Sequence, residues 1–314
     1  MPKMKHDTIG IDISKATLDV HRLSDGKRAS FTNCARGFSQ LADFCAQTDV
    51  VRVVYEATGA YHSRLVGALS SHIPMVRVNP LQARRFAQAQ GVRAKTDAVD
   101  ARMLALMGVA FKLEPDAPVT KLHQDLKDLR SFRLGLVKDR TRIVNRQRTQ
   151  SLPIIRRQNN ALLSQLTKKI AEIDEEISKL LNACEVNANS LKILRSIPGV
   201  GAVCAATILI EMPEIGRIAR KQAASLAGLA PMTRESGVWK GKAFIQGGRK
   251  VVRNALYMPA IVAIRHNPDF KTKYQSMINA GKPPKVAIIA VMRKIIELAN
   301  VLIKENRNWV KKDA

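Results

Sequence analysis

Acidic residues are scarce in this chain of 314 residues: 26 Asp+Glu stand against 52 Lys+Arg, a formal charge of +26. Such an excess draws polyanions through counterion release, so a nucleic acid is the leading partner and an anionic membrane surface the weaker one. Cysteine is sparse too. Cys34, Cys45, Cys184 and Cys204 lie far apart with no C-x-x-C pair and no zinc-type spacing to histidine, which excludes a disulfide scaffold and predicts reduced core thiols. No apolar run approaches the roughly 18 residues of a spanning helix, and Met1 to Asp7 holds charges but no signal-like apolar stretch. The expectation is a cytoplasmic protein, nucleoid-associated during activity, with no membrane partner. Repeats and low-complexity tails are absent as well. What remains, 46% hydrophobic residues, is enough to bury cores for about two domains and excludes a disordered chain.

Taken in order, Thr8 to Ile13, Thr17 to Leu23 and Arg28 to Thr32 read as short strands, the last two joined by the turn residues Ser24-Asp25-Gly26-Lys27. A helix near 37–46 follows, then the apolar strand Val50 to Tyr55 ending at Glu56, a helix near 61–71 and a strand over 74–78. Three antiparallel strands, then helix, strand, helix, strand, is the element order of a ribonuclease-H-like α/β sheet. From Val119 to Leu181 glycine nearly vanishes and long helices dominate, broken at Pro153. Leu163, Leu166, Ile170, Ile173, Ile177 and Leu180 keep coiled-coil spacing over a short run, which serves self-association or packing within the hairpin equally well. We therefore expect an α/β domain over 1–115, a helical hairpin over 116–185 and a mostly helical domain over 186–314.

Basic residues cluster at the hairpin turn. Arg130 to Arg157 holds nine of them and one acid, Asp139, and Arg142, Arg146 and Arg148 are candidate nucleic-acid contacts. Arg217 to Arg253 again holds nine against one, Glu235, with Lys240, Lys242 and Arg249 as further candidates. Between these tracts, Ile197-Pro198-Gly199-Val200-Gly201 separates two helical runs and resembles a helix-hairpin-helix. There Gly199 and Gly201 would let backbone N–H groups approach a phosphate at a helix N-terminus; a plain turn between helices is the alternative.

The candidate chemistry lies in carboxylates. Val92 to Met103 reads V-R-A-K-T-D-A-V-D-A-R-M, with Thr96 as N-cap and Asp97 and Asp100 three residues apart on one helical face. Alone, this pair is more simply a solvated helix start with Arg93, Lys95 and Arg102 as ion partners. Asp12 sits inside an apolar strand, where an unpaired carboxylate is costly, and Lys15 is one available partner. Glu56 closes the central strand at the same sheet end. Four carboxylates converging there would repel one another unless hard divalent cations, Mg²⁺ or its substitute Mn²⁺, joined them; two such ions would clamp a phosphodiester.

At these positions the chain resembles the DEDD-type transposases of bacterial insertion sequences, which include Piv-like DNA invertases and bridge-RNA-guided recombinases. The resemblance runs nearly end to end: I-G-I-D-I-S-K-A-T-L-D-V (9–20), Y-E-A-T-G-A-Y (55–61), V-N-P (78–80), K-T-D-A-V-D-A-R (95–102), S-I-P-G-V-G (196–201), A-G-L-A-P (227–231), E-S-G (235–237) and R-N-A-L-Y-M-P-A (253–260). It implies that Asp12, Glu56, Asp97 and Asp100 are a metal-binding catalytic tetrad. It implies also that Ser236, by its local sequence only a turn residue, is the nucleophile. The expected function is then cutting and rejoining of element-end and target DNA by serine transesterification, with an element-encoded guide RNA and a dimer or tetramer. A Mg²⁺-dependent junction-resolving nuclease, an invertase without RNA guide and a non-enzymatic nucleic-acid binder are the alternatives.

Overall fold

β1 (Asp7–Ile13), β2 (Thr17–Arg22) and β3 (Arg28–Thr32) form an antiparallel meander in the computed structural model. That model describes residues 6–57, 59, 61–92, 97–233, 235–237, 239–241 and 243–310, the side chains of Asp97, Ala98, Trp239 and Lys240 excepted. The Arg22 guanidinium fixes the β2–β3 turn by donating to both carboxylate oxygens of Asp25, at 3.1 and 2.8 Å. β4 (Val50–Glu56) then pairs in parallel with β1, and β5 (Met75–Val78) in parallel with β4, giving the order β3-β2-β1-β4-β5. The parallel pairings need helical crossovers. α1 (Ala35–Cys45) and α2 (His62–Leu69) supply them.

Side chains alternate across a strand, so each strand feeds two cores. Ile9, Ile11 and Ile13 join Val53 and Tyr55 against Phe38 and Leu41 of α1 and Leu65 of α2. On the opposite face Val54, Val76 and Val78 pack with Phe86 of α3 (Pro80–Ala89) and with Leu104 and Met107 of α4 (Asp97–Ala110). The expected strands and helices of this region all form, within a few residues of the predicted bounds. α3 is the exception, with no counterpart among the expected elements; Asn79 caps it by accepting from the Leu81 N–H at 2.9 Å, and Pro80 occupies its first turn.

The chain divides into two compact units, Met1–Gln124 and Asp125–Ala314. Two long helices, α5 (Lys121–Gln147) and α6 (Pro153–Asn182), form the hairpin expected around Pro153. Ile170 and Ile177 of the heptad-like seam are buried within the single chain, as are Leu136 and Ile143 of α5. Both Arg133 and its α6 partner Asp174 are partly buried, and the guanidinium donates to both carboxylate oxygens.

Of the helices α7 (Glu185–Ser196), α8 (Ala202–Glu211), α9 (Arg220–Leu226), α10 (Lys250–His266), α11 (Pro268–Asn279) and α12 (Pro284–Lys304), α7, α9, α10 and α11 pack on α12, where Val291, Ile295, Ile296 and Ala299 are fully buried, and α8 packs on α7 and α10. Between α9 and α10 run two short ladders: β6 (Pro231–Met232) with β9 (Phe244–Ile245), and β7 (Glu235–Ser236) with β8 (Trp239–Lys240). Among the described residues no helix is long and apolar enough to cross a membrane.

Candidate active site

Gly10 sets how closely α4 lies on the sheet. A Cβ there would stand 1.9 Å from the Ala101 carbonyl oxygen and 2.6 Å from the Ala105 nitrogen, so only glycine admits the helix backbone. Further along α4, a Cβ on Gly108 would come within 2.6 Å of Val54 and 3.2 Å of Thr8. Arg52 of β4 donates to the Gly108 carbonyl at 2.7 Å. Ala101 therefore sits over Gly10 while Gly108 sits over Thr8, and α4 runs against the direction of β1. Its N-terminal turn, carrying Asp97 and Asp100, thus reaches the end of the sheet where β1 and β4 finish.

Asp12 is two residues beyond Gly10 on that same face. Parallel register matches Gly10 with Val54 and Ile11 with Tyr55, so Glu56 follows Val54 on the same face at the same sheet end. Asp12, Glu56 and Asp100 are all half-buried. Glu56 and Asp100 line one cavity of about 930 Å³, whose other wall is α3 with Leu81, Arg84 and Gln88. Asp97 is the first residue of α4, three positions before Asp100; its side chain lies outside the described residues, as does predicted N-cap Thr96. Among the described residues no group of three His, Cys, Asp or Glu is gathered to hold an ion, so the described side chains bring the pair Glu56 and Asp100 to one cavity. The donors are oxygen throughout, which fits a hard cation such as Mg²⁺ and does not fit a soft one.

Two residues on this face had no place in the sequence reading. Antiparallel register sets Asp19 of β2 opposite Asp12 and His21 opposite Gly10, so both face α4. Asp19 accepts from the Thr17 hydroxyl at 3.2 Å. Burial lowers the His21 pKa, helped by the charges of Arg28 and Arg102, and so favours the neutral ring. Their signal was the period-2 pattern of T-L-D-V-H, which places Asp19 and His21 on one strand face.

In the second unit, Ser236 is exposed on β7 and pairs with Trp239 of β8, with Gly237 at φ +57° in the tight turn. The side chain of Lys240, and Lys242 entirely, lie outside the described residues. Arg249 precedes α10 and is committed to an ion pair with Glu214. Arg142, Arg146 and Arg148 are exposed on α5 or just beyond its end, Arg142 paired with Asp139 at 3.0 Å. Gly199 takes φ +85°, and a Cβ there would meet the Pro259 carbonyl of α10 at 2.3 Å, so its glycine requirement is met inside the fold. Gly201 precedes α8 with open space around it.

Comparison with known proteins gives a consistent picture. A transposase family model of the DEDD, IS110 type matches residues 9–155, and that of the transposase IS116/IS110/IS902 family matches residues 191–275. The pilin gene-inverting protein of Moraxella bovis is 31% identical over 326 residues, covering 98% of this chain and 99% of that protein; its Moraxella lacunata counterpart matches at the same identity and coverage. The transposase for insertion sequence element IS1111A of Coxiella burnetii is 23% identical over 292 residues, covering 82% of this chain and 78% of that protein.

Proposed function

The chain belongs to the IS110/IS116/IS902 transposase family, and from that premise we propose that it is a site-specific DNA recombinase that cuts and rejoins insertion-element DNA through a serine nucleophile. The observation that carries this reading is the approach of α4 to β1 at Gly10, which brings the Asp100 turn to the strand ends bearing Asp12 and Glu56. On this reading the α/β sheet is a ribonuclease-H-like domain, and Asp12, Glu56, Asp97 and Asp100 together hold Mg²⁺. A cation held by these carboxylates would neutralise charge developing on the phosphodiester.

Ser236 then does the covalent work. Its hydroxyl loses a proton as Oγ bonds to phosphorus, the bond to the leaving deoxyribose oxygen breaks, and that oxygen takes up a proton. The phosphoseryl ester conserves the bond energy, so a strand hydroxyl from the second duplex displaces Ser236 without a nucleotide cofactor. Exposure of Ser236 on a two-residue hairpin suits a group that must reach DNA. A guide RNA from the element supplies target choice, with the arginines near the hairpin turn (Arg142, Arg146, Arg148) and Gly201 at the start of α8 as nucleic-acid contacts. Exchange of four strands calls for a dimer or tetramer.

The test is denaturing electrophoresis of the protein with labelled element-end DNA, Mg²⁺ and co-expressed RNA. Wild type is expected to give a covalent protein–DNA band that Ser236→Ala and Glu56→Gln both abolish. Free cleaved ends from Ser236→Ala would sink the serine mechanism and establish a hydrolytic nuclease instead.

A further inference from the structure

The cavity beside Glu56 and Asp100 has a second wall that the chemistry above leaves unused. α3 presents Leu81, Arg84 and Gln88 to it, spaced by three and four residues along one helical face. The opposite face of α3 is anchored: Phe86 is buried and meets the Phe111 ring edge-on, with centroids 5.4 Å apart. Arg84 and Gln88 are exposed to solvent, and Arg84 enters no ion pair among the described residues. A guanidinium that shares a cavity with two carboxylates and pairs with neither is placed for an anion arriving from outside.

That anion is set by the opposite wall. If the carboxylates act on a phosphodiester, the strand carrying it must continue past the reacting phosphate, and α3 is the wall it meets. We propose that α3 is the strand-binding wall of the active site: Arg84 clamps a phosphate adjacent to the scissile one on the DNA strand being cut, and Gln88 binds its sugar–phosphate backbone. A planar guanidinium suits this task because it offers paired N–H groups to two phosphate oxygens. The contact positions the strand and carries no sequence information. Arg84 is thus a positioning residue, and the proposal rests on the recombinase reading of the carboxylate site.

The test uses the full chain and labelled element-end DNA, with Ca²⁺ for binding and Mg²⁺ for cleavage, comparing wild type, Arg84→Ala, Arg84→Lys and Glu56→Gln. Arg84→Ala is expected to bind about tenfold more weakly or worse, with a salt slope smaller by about one, because one phosphate contact is lost. Its KM for cleavage rises while kcat holds, and Arg84→Lys recovers part of the affinity. Replacing phosphates near the cut one at a time by uncharged methylphosphonates should reveal one position that weakens wild type and leaves Arg84→Ala unaffected. Unchanged affinity and salt slope in Arg84→Ala, with cleavage still abolished by Glu56→Gln, would overturn the strand-wall proposal alone. Cleavage surviving in Glu56→Gln would instead remove the carboxylate reading beneath it.

Discussion

Gly10 and Gly67 are both glycines of the first unit, and their surroundings give them opposite roles. At Gly10 an added methyl group would meet the backbone of α4, which cannot turn aside as a side chain can. Gly10→Ala is expected to cost about 3 kcal/mol or more, at the upper end of overpacking effects, and to pull Asp100 from the strand ends. Gly67 lies exposed inside α2 with nothing within 4 Å of a Cβ. There alanine removes only a helix-propensity cost, so Gly67→Ala should gain about 0.5–1 kcal/mol. Urea denaturation of both variants checks the pair of signs, and a destabilising Gly67→Ala would show the α2 environment to be misread. The sequence marks both residues simply as glycine; the partner that separates them, Ala101, is 91 positions from Gly10.

Among the elements, the α5–α6 hairpin shows what its periodicity serves. Its seam matched both a dimer contact and an internal one. Ile170 and Ile177 are buried in the single chain at 7% and 4% exposure, while Phe132 and Leu162 remain exposed. Truncating Ile177 to Ala should therefore cost about 2–4 kcal/mol of unfolding free energy, from lost transfer and a residual cavity. Phe132→Ser should stay within about 0.5 kcal/mol. Equilibrium denaturation distinguishes them, and a neutral Ile177→Ala would mean the seam is filled by something other than the chain itself. α3 teaches the reverse lesson. With Phe86 as its buried residue it has little apolar period to detect, and the Asn79-Pro80 start was its available signal.

For the molecule as a whole, the excess of 26 positive charges governs association. Binding to element-end DNA should weaken more than about a hundredfold between roughly 50 and 200 mM salt, as phosphate neutralisation demands. Fluorescence anisotropy across that range checks it, and a flat response would exclude a backbone-dominated interface. Not every basic residue contributes. Arg130 is paired with Glu211 at 2.8 Å, Arg133 with Asp174 and Arg249 with Glu214, so parts of both basic tracts are spent inside the fold.

Composition and short-range pattern determined the charge, the order of strands and helices in the first unit, the Pro153 break and the positions of Asp12, Glu56 and Asp100 at element ends. These follow from propensities and periods that act over a few residues. Tertiary packing alone decided that α4 runs against β1 closely enough to bring Asp100 to the strand ends, that Asp19 and His21 share that face, that α3 walls the cavity, and which arginines are committed to acids. Each depends on residues tens of positions apart meeting in three dimensions, and local sequence holds no record of a distant neighbour's shape.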